Sequence, residues 1–229
     1  QMAFRHCAGV QYVISLTGGS YMLQFYFSLG YLDNEGIAYN SDFNRITVRA
    51  KADYEALKWL RVGTNVNFSR TKYHSITSDD NGLFYQINNM APIYPAFIRD
   101  GAGNIMTDEN GPMYDYGDGS LIGYARPILP NNNPLQENKL NTSSSKNNMY
   151  SFFGYADIMP IDGLKITLNG TLTSYDSRGT DATQPFYGYS RTAYPTGFVS
   201  RSSDQTYSYN FQQLVNYHHD FGHHHMEIL

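Results

Sequence analysis

Three groups of residues in the 229-residue sequence have side-chain types and spacing that bear on chemistry. Five of the seven histidines (His218, His219, His223, His224 and His225) crowd one short stretch near the C-terminal end. A metal centre needs ligands that converge tetrahedrally or octahedrally. No cysteine or well-spaced carboxylate joins these histidines, so the stretch reads as a solvated turn and no metal is expected. The acid pairs Asp79/Asp80 and Asp108/Glu109 suggest glycosidase carboxylates, but that reaction needs two carboxyls held across a sugar on a rigid scaffold. Both pairs lie in turn-rich sequence. No Gly-x-Ser-x-Gly, phosphate loop or dinucleotide fingerprint occurs, so the sequence assigns no catalytic residue, no cofactor and no enzymatic activity.

Aromatic side chains form the third group. Tyr85, Tyr94, Phe97, Tyr114, Tyr116, Tyr124, Phe186, Tyr187, Tyr189 and Tyr194 all fall in irregular sequence. Tyrosine offers an apolar face with a polar tip, which suits stacking on a sugar or lining a peptide groove. These ten are the candidate substrate-binding residues. The same residues also suit the internal packing that a long ordered loop requires.

The elements that must position them are strands. Ile46, Val48, Ala50, Ala52 and Tyr54 alternate with Arg45, Thr47, Arg49, Lys51 and Asp53, the pattern of a strand with one apolar and one charged face. After a break at 55–58 the alternation resumes, with Leu60, Val62, Thr64, Val66 and Phe68 on one side and Arg61, Gly63, Asn65, Asn67 and Ser69 on the other. Soluble strands usually run about 5–6 residues, whereas a tilted strand crossing a bilayer needs about 9–11. Both strands fit the longer class, and Tyr54, Trp59, Phe68 and Tyr73 sit where interfacial girdle residues belong.

Further strands are expected at 11–17, 23–31, 149–158, 164–175, 207–219 and 223–229, making about eight. Short turns are predicted near Gly19, Lys58, Asp162 and Phe221, and longer connections at 33–43, 75–147 and 176–205. Short and long connections alternate, as in an up-and-down barrel with periplasmic turns and external loops. The predicted fold is therefore all-β: an antiparallel up-and-down transmembrane barrel segment with long extracellular loops. Ile46, Val48, Ala50, Val62, Val66, Ile166 and Leu168 would face lipid, and Arg49 and Asn65 the lumen. A soluble extracellular β-rich carbohydrate-binding module is the alternative that the same strands allow.

Composition sets further bounds. Charged residues make up 16%, Tyr and Phe number 21 and 13, and the single Cys7 excludes an intrachain disulfide. No apolar run is long enough for a membrane helix, which does not exclude a barrel. The net charge of −4 falls wholly within 75–147, where eight acids face four bases. No basic footprint for nucleic acid is present. There is no basic n-region followed by an apolar h-region at the start, and the sequence stops in the apolar run Met226–Leu229, so it reads as an internal fragment.

Particular stretches carry a family resemblance. Ser15-Leu16-Thr17-Gly18-Gly19, Ser28 to Ile37 (SLGYLDNEGI) and Trp59 to Ser69 (WLRVGTNVNFS) resemble the barrel of SusC/RagA-type TonB-dependent transporters of the Bacteroidetes outer membrane. Ala91-Pro92-Ile93-Tyr94-Pro95, Tyr114-Asp115-Tyr116-Gly117 and Asn216-Tyr217 continue the match. It covers 11–229; residues 1–10 fit poorly. The resemblance implies a larger barrel of about 22 strands with a plug, energised through the TonB complex and paired with a SusD-like surface lipoprotein. It also implies an outer-membrane location and an oligosaccharide or peptide substrate. The plug, through which TonB would act, and the remaining strands lie outside this sequence.

Overall fold

The computed structural model describes residues 4–76, 83–109, 111–119, 123–185 and 196–229. Ten strands and two short helices follow one another as β1 (Gly9–Gly19), β2 (Leu23–Glu35), β3 (Asp42–Leu57), β4 (Leu60–Ser75), α1 (Leu83–Asn89), β5 (Thr107–Asp108), β6 (Gly111–Pro112), α2 (Pro134–Leu140), β7 (Thr142–Ile161), β8 (Leu164–Thr183), β9 (Phe198–Phe221) and β10 (His224–Ile228). Eight of the strands make one antiparallel sheet in the order β1-β2-β3-β4-β7-β8-β9-β10, and β5 and β6 form a separate ribbon. Every sheet neighbour is the next long strand in sequence, which is the meander expected of a barrel wall.

Register turns the alternation of each strand into two continuous faces, because directly paired residues share a face. Leu16, Phe27, Ala50, Val66, Phe152, Leu172 and Tyr209 lie in one row across seven strands. Ile14, Leu29, Val48, Phe68, Tyr150, Ser174 and Tyr207 make the next. The apolar band runs from Leu60 to Phe68, from Tyr150 to Ile158 and from Tyr207 to Val215, in each case about nine residues, the span a tilted strand needs to cross a bilayer. Among the described residues no second sheet covers this face. Ile14, Leu16, Phe27, Phe152, Leu172 and Phe211 are all exposed, and so large an uncovered apolar surface is foreign to a soluble sandwich. The only buried hydrophobic residues among those described are Ala38 and Leu83, with Ile76, Ile87 and Leu135 against them, at one end of the sheet.

Connections segregate by length. At one end the chain turns at 20–22, 58–59, 162–163 and 222–223. Ser20 Oγ accepts the amides of Met22 and Leu23 at 3.3 and 3.2 Å in the first, and Asp162-Gly163 makes a two-residue turn with Gly163 at φ 83°. Only glycine adopts that conformation cheaply, and a Cβ there would strike the carbonyl of His218. The other end carries 36–41, 76–141 and 184–197. Strands thus continue into the stretches expected to be loops: Asp176–Thr183 and Phe198–Gln205 are paired strand, and so are Thr142–Asn147. The first turn, expected near Gly19 over 18–20, lies at 20–22, since Gly19 still pairs with Gln24.

Val48 lies mid-band on the apolar face, so Val48→Arg should cost about 2–4 kcal/mol of folding free energy near the bilayer midplane. Arg49→Ala on the opposite face should be close to neutral. Denaturant titration of the intact protein in lipid vesicles checks both, and equal costs would mean that the two faces are not differently solvated.

Candidate functional site

The face opposite the apolar band is polar. Ser15, Ser28, Arg49, Asn67, Ser151, Thr173 and Ser208 form one of its rows, and Gln24, Asp53, Gly63, Tyr155, Asn169 and Gln212 another. In the second row the Tyr155 ring lies across Gly63, and its hydroxyl donates to Asp53 Oδ1 at 2.5 Å. A Cβ at position 63 would collide with that ring and stand 2.8 Å from Asp53 Oδ1. Lys51 Nζ holds the other Asp53 oxygen at 3.0 Å. One row further toward the short turns, Asp157 pairs with Lys165 at 3.0 Å and accepts the Thr167 hydroxyl at 2.7 Å. Both carboxylates are thus matched by a cation and a hydroxyl on the same face.

The described residues between Ile76 and Asn141 form a head beyond the strand ends. Asn133 caps α2: its side chain accepts the Gln136 amide at 3.2 Å, Pro134 opens the helix, and Glu137 reaches back to the Asn133 amide at 3.1 Å. The same Asn133 donates through Nδ2 to the carbonyls of Ala96 and Asp115, both at 2.9 Å. Glu137 also accepts from Gln86 on α1 at 3.1 Å. Arg126 is buried at the centre. Its Nη2 donates to Pro95 O (3.1 Å), Asp115 O (3.2 Å) and Asp115 Oδ2 (3.0 Å), and its guanidinium lies 4.8 Å above the Tyr94 ring. A planar, always-charged fork suits such a set of acceptors.

At the periphery, Asp100 closes a turn by accepting the amides of Ala102 and Asn104 and the Asn104 side chain. Those bonds, led by the Asn104 side chain, hold its carboxyl below the usual range. The head is tied to the sheet through the β2–β3 connection: Asn40 Nδ2 donates to the carbonyls of Asn138 and Asn141 at 3.1 and 3.0 Å, and Asn138 Nδ2 returns to Tyr39 O at 2.5 Å.

The expected site residues are divided by this fold. Tyr94 lies under Arg126, Phe97 and Tyr114 pack together with ring centroids 4.9 Å apart, and Tyr116 donates its hydroxyl to Gln136. These four hold the head together. Tyr85 and Tyr124 are presented to solvent, 44% and 81% exposed, and Ile93 beside Tyr94 is 83% exposed. Phe186, Tyr187, Tyr189 and Tyr194, together with Asp79 and Asp80, lie outside the described residues. Asp108 ends β5 opposite Gly111, and Glu109 follows it. At the short-turn end His225 engages Asp220 at 2.5 Å, and the His219 ring sits between Tyr217 and Phe221. Arg126 and Asn133 were missed from sequence. The Asn-Pro-x-Gln start of α2 is a readable cap signal, but the convergence on Arg126 is tertiary.

An eight-stranded meander with an exposed apolar outer face, a polar inner face and all long connections at one end is a segment of a transmembrane β-barrel. No family model matches the chain. Two curated proteins of Formosa agariphila do: TonB-dependent receptor P39, 26% identical over 66% of this chain and 12% of its own length, and TonB-dependent receptor P26, 26% identical over 93% and 19%. Among solved structures, the RagAB peptide transporter superposes with TM-score 0.65 at 23% identity, covering 94% of this chain and 23% of that one. The RagAB peptide importer gives 0.68 at 24% identity in its closed-closed state (95% and 23%) and 0.67 at 24% in its open-open state (93% and 22%). The resemblance to TonB-dependent receptors is borne out in sequence by the two curated relatives, and the likeness to the RagA-type barrel in fold by the RagAB structures. The chain spans about a fifth of the length of these relatives or less.

Proposed function

We propose that this chain forms part of the wall and mouth of an outer-membrane transporter that imports peptides or glycans. In this reading the transporter is driven by the TonB complex through a plug and works with a SusD-like surface lipoprotein. One observation carries the membrane reading: the uncovered apolar band, about nine residues tall, backed by a polar face. The head at 76–141 lies at the end that bears every long connection, which in a barrel of this kind is the external side. Its internal aromatics are occupied in packing, so Tyr85 and Tyr124, with Ile93, are the contacts it offers to substrate or lipoprotein. A peptide substrate is favoured by the likeness to a structure described as a peptide transporter. The polar strand ends and tyrosines equally suit an oligosaccharide.

Fractionation of cells producing the intact protein tests the reading. It should sediment with outer membranes and require detergent for release. Recovery as a monomer in buffer alone would favour the soluble carbohydrate-binding module instead.

A further inference from the structure

Beyond the apolar band, β4, β7, β8 and β9 continue as a blade rich in Ser, Thr, Asn and charged residues, with Phe198 and Val199 at its far end, and its charges sort by face. Lys72, Lys146 and Arg178 are direct cross-strand neighbours in one row. Arg70 sits one row nearer the band, opposite Asn148, and Arg201 one row further out, opposite Thr180. All five share the face of Phe68 and Tyr150, because each lies an even number of residues beyond the band on its own strand. The blade's other face carries Asp181 and Asp204 and no base.

Like charges directly opposite one another destabilise a sheet, so this row needs an external anion. Asp176 is the one acid on the same face of these four strands, and it is spoken for: it pairs with Arg178 at 3.4 Å and accepts from Asn148 at 3.3 Å. Arg70, Lys72, Lys146 and Arg201 make no ion pair with any described residue. The remaining acids of this face, Asp33, Glu35 and Asp42, lie on β2 and β3, where Arg5, His74 and the Tyr31 hydroxyl engage them.

Height selects the ligand. Arg70, Lys72, Lys146 and Arg178 stand about 7–13 Å along the strands past the Phe68–Tyr150 row, where the polar headgroup layer begins above the hydrocarbon. We infer that this outward-facing basic row is a binding site for the phosphate groups of an anionic lipid in the leaflet surrounding the barrel. The acyl chains of that lipid lie against the apolar band below. The inference rests on the membrane reading above and adds a specific lipid contact to it.

Native mass spectrometry of the intact protein, released from vesicles of mixed phosphatidylglycerol and phosphatidylcholine, tests it. Phosphatidylglycerol should be retained preferentially, and millimolar inorganic phosphate should not displace it. The triple variant K72Q/K146Q/R178Q should lose about fivefold of the preference per charge removed, while D204N on the inner face should leave it unchanged. Raising salt should weaken the wild-type preference, a readout independent of how the variant folds. Equal retention of the two lipids, displacement by free phosphate, or a preference indifferent to both salt and the triple change would overturn the site. Recovery of the protein without detergent would overturn the membrane reading itself, a separate outcome.

Discussion

Replacing residues 76–141 with a short Gly-Asn turn should leave the sheet and its membrane insertion intact and abolish the uptake proposed for the intact protein. β4 and β7 are direct neighbours, with Ser75 opposite Ser143, and two strands a few Å apart need only a turn. The head adds its own helices and shares a small core with Ala38 of the β2–β3 connection; that connection, the Gln184 amide on Asn141 Oδ1 at 3.0 Å and Phe4 beside Phe84 tie it to the sheet. A connection so much longer than closure requires is usually functional. Heat-modifiable migration in gels reports insertion, and growth on, or accumulation of, the imported nutrient reports uptake. Normal uptake by the deletion strain would show the head to be dispensable. Failed insertion would show it to be a structural part of the barrel.

Arg126→Met should open the head without disturbing the sheet. The side chain is 6% exposed and satisfies three oxygens besides covering Tyr94. Removing one partner of a buried pair costs about 3–5 kcal/mol, because the other is left uncompensated. That is comparable to the whole stability of a small unit with so few buried apolar residues. Limited proteolysis should then cut within 83–119 at least tenfold faster, with the β-signal in circular dichroism unchanged. Arg126→Lys should fall between, since an ammonium cannot serve the same fork of acceptors. Unchanged proteolysis in Arg126→Met would show that the head is held by its helices and caps alone.

The membrane-embedded part of the fold was legible because one physical cause wrote it into the sequence. Where one face meets apolar surroundings and the other polar, side chains must alternate, as from Arg45 to Phe68. That signal vanishes once both faces meet water. Asp176–Thr183 and Phe198–Gln205 are strand in the structure, yet their sequences, rich in Ser, Thr, Asp and Arg, carry no period. The candidate site was legible only as a composition. Nothing in the spacing of Tyr94, Tyr114, Tyr116 and Tyr124 distinguishes those that pack from the one left exposed, because the distinction is made by Arg126 and Asn133 across long sequence separations.

The Tyr155 ring seated over Gly63 has a bearing on assembly. Seven pairings build the sheet, and six of them join strands linked by tight turns or by the connections 36–41 and 184–197. A tight turn fixes register by its own geometry. β4 and β7 have no such guide, since 76–141 lies between them, and their search for one another is the slow, non-local step of this chain. It is at this seam that the side chains act as a key. Only with Gly63 opposite does the Tyr155 ring find room and its hydroxyl reach Asp53 on the strand beyond. Thr64 Oγ1 donates to Phe153 O at 3.0 Å, the Phe68 and Tyr150 rings meet at 4.9 Å, and the Ser75 and Ser143 hydroxyls meet at 3.1 Å along the same junction. A slip by two residues would keep the faces right and still seat Tyr155 on Arg61 or Asn65. The notch at Gly63 therefore proofreads the joining of the two halves of the sheet.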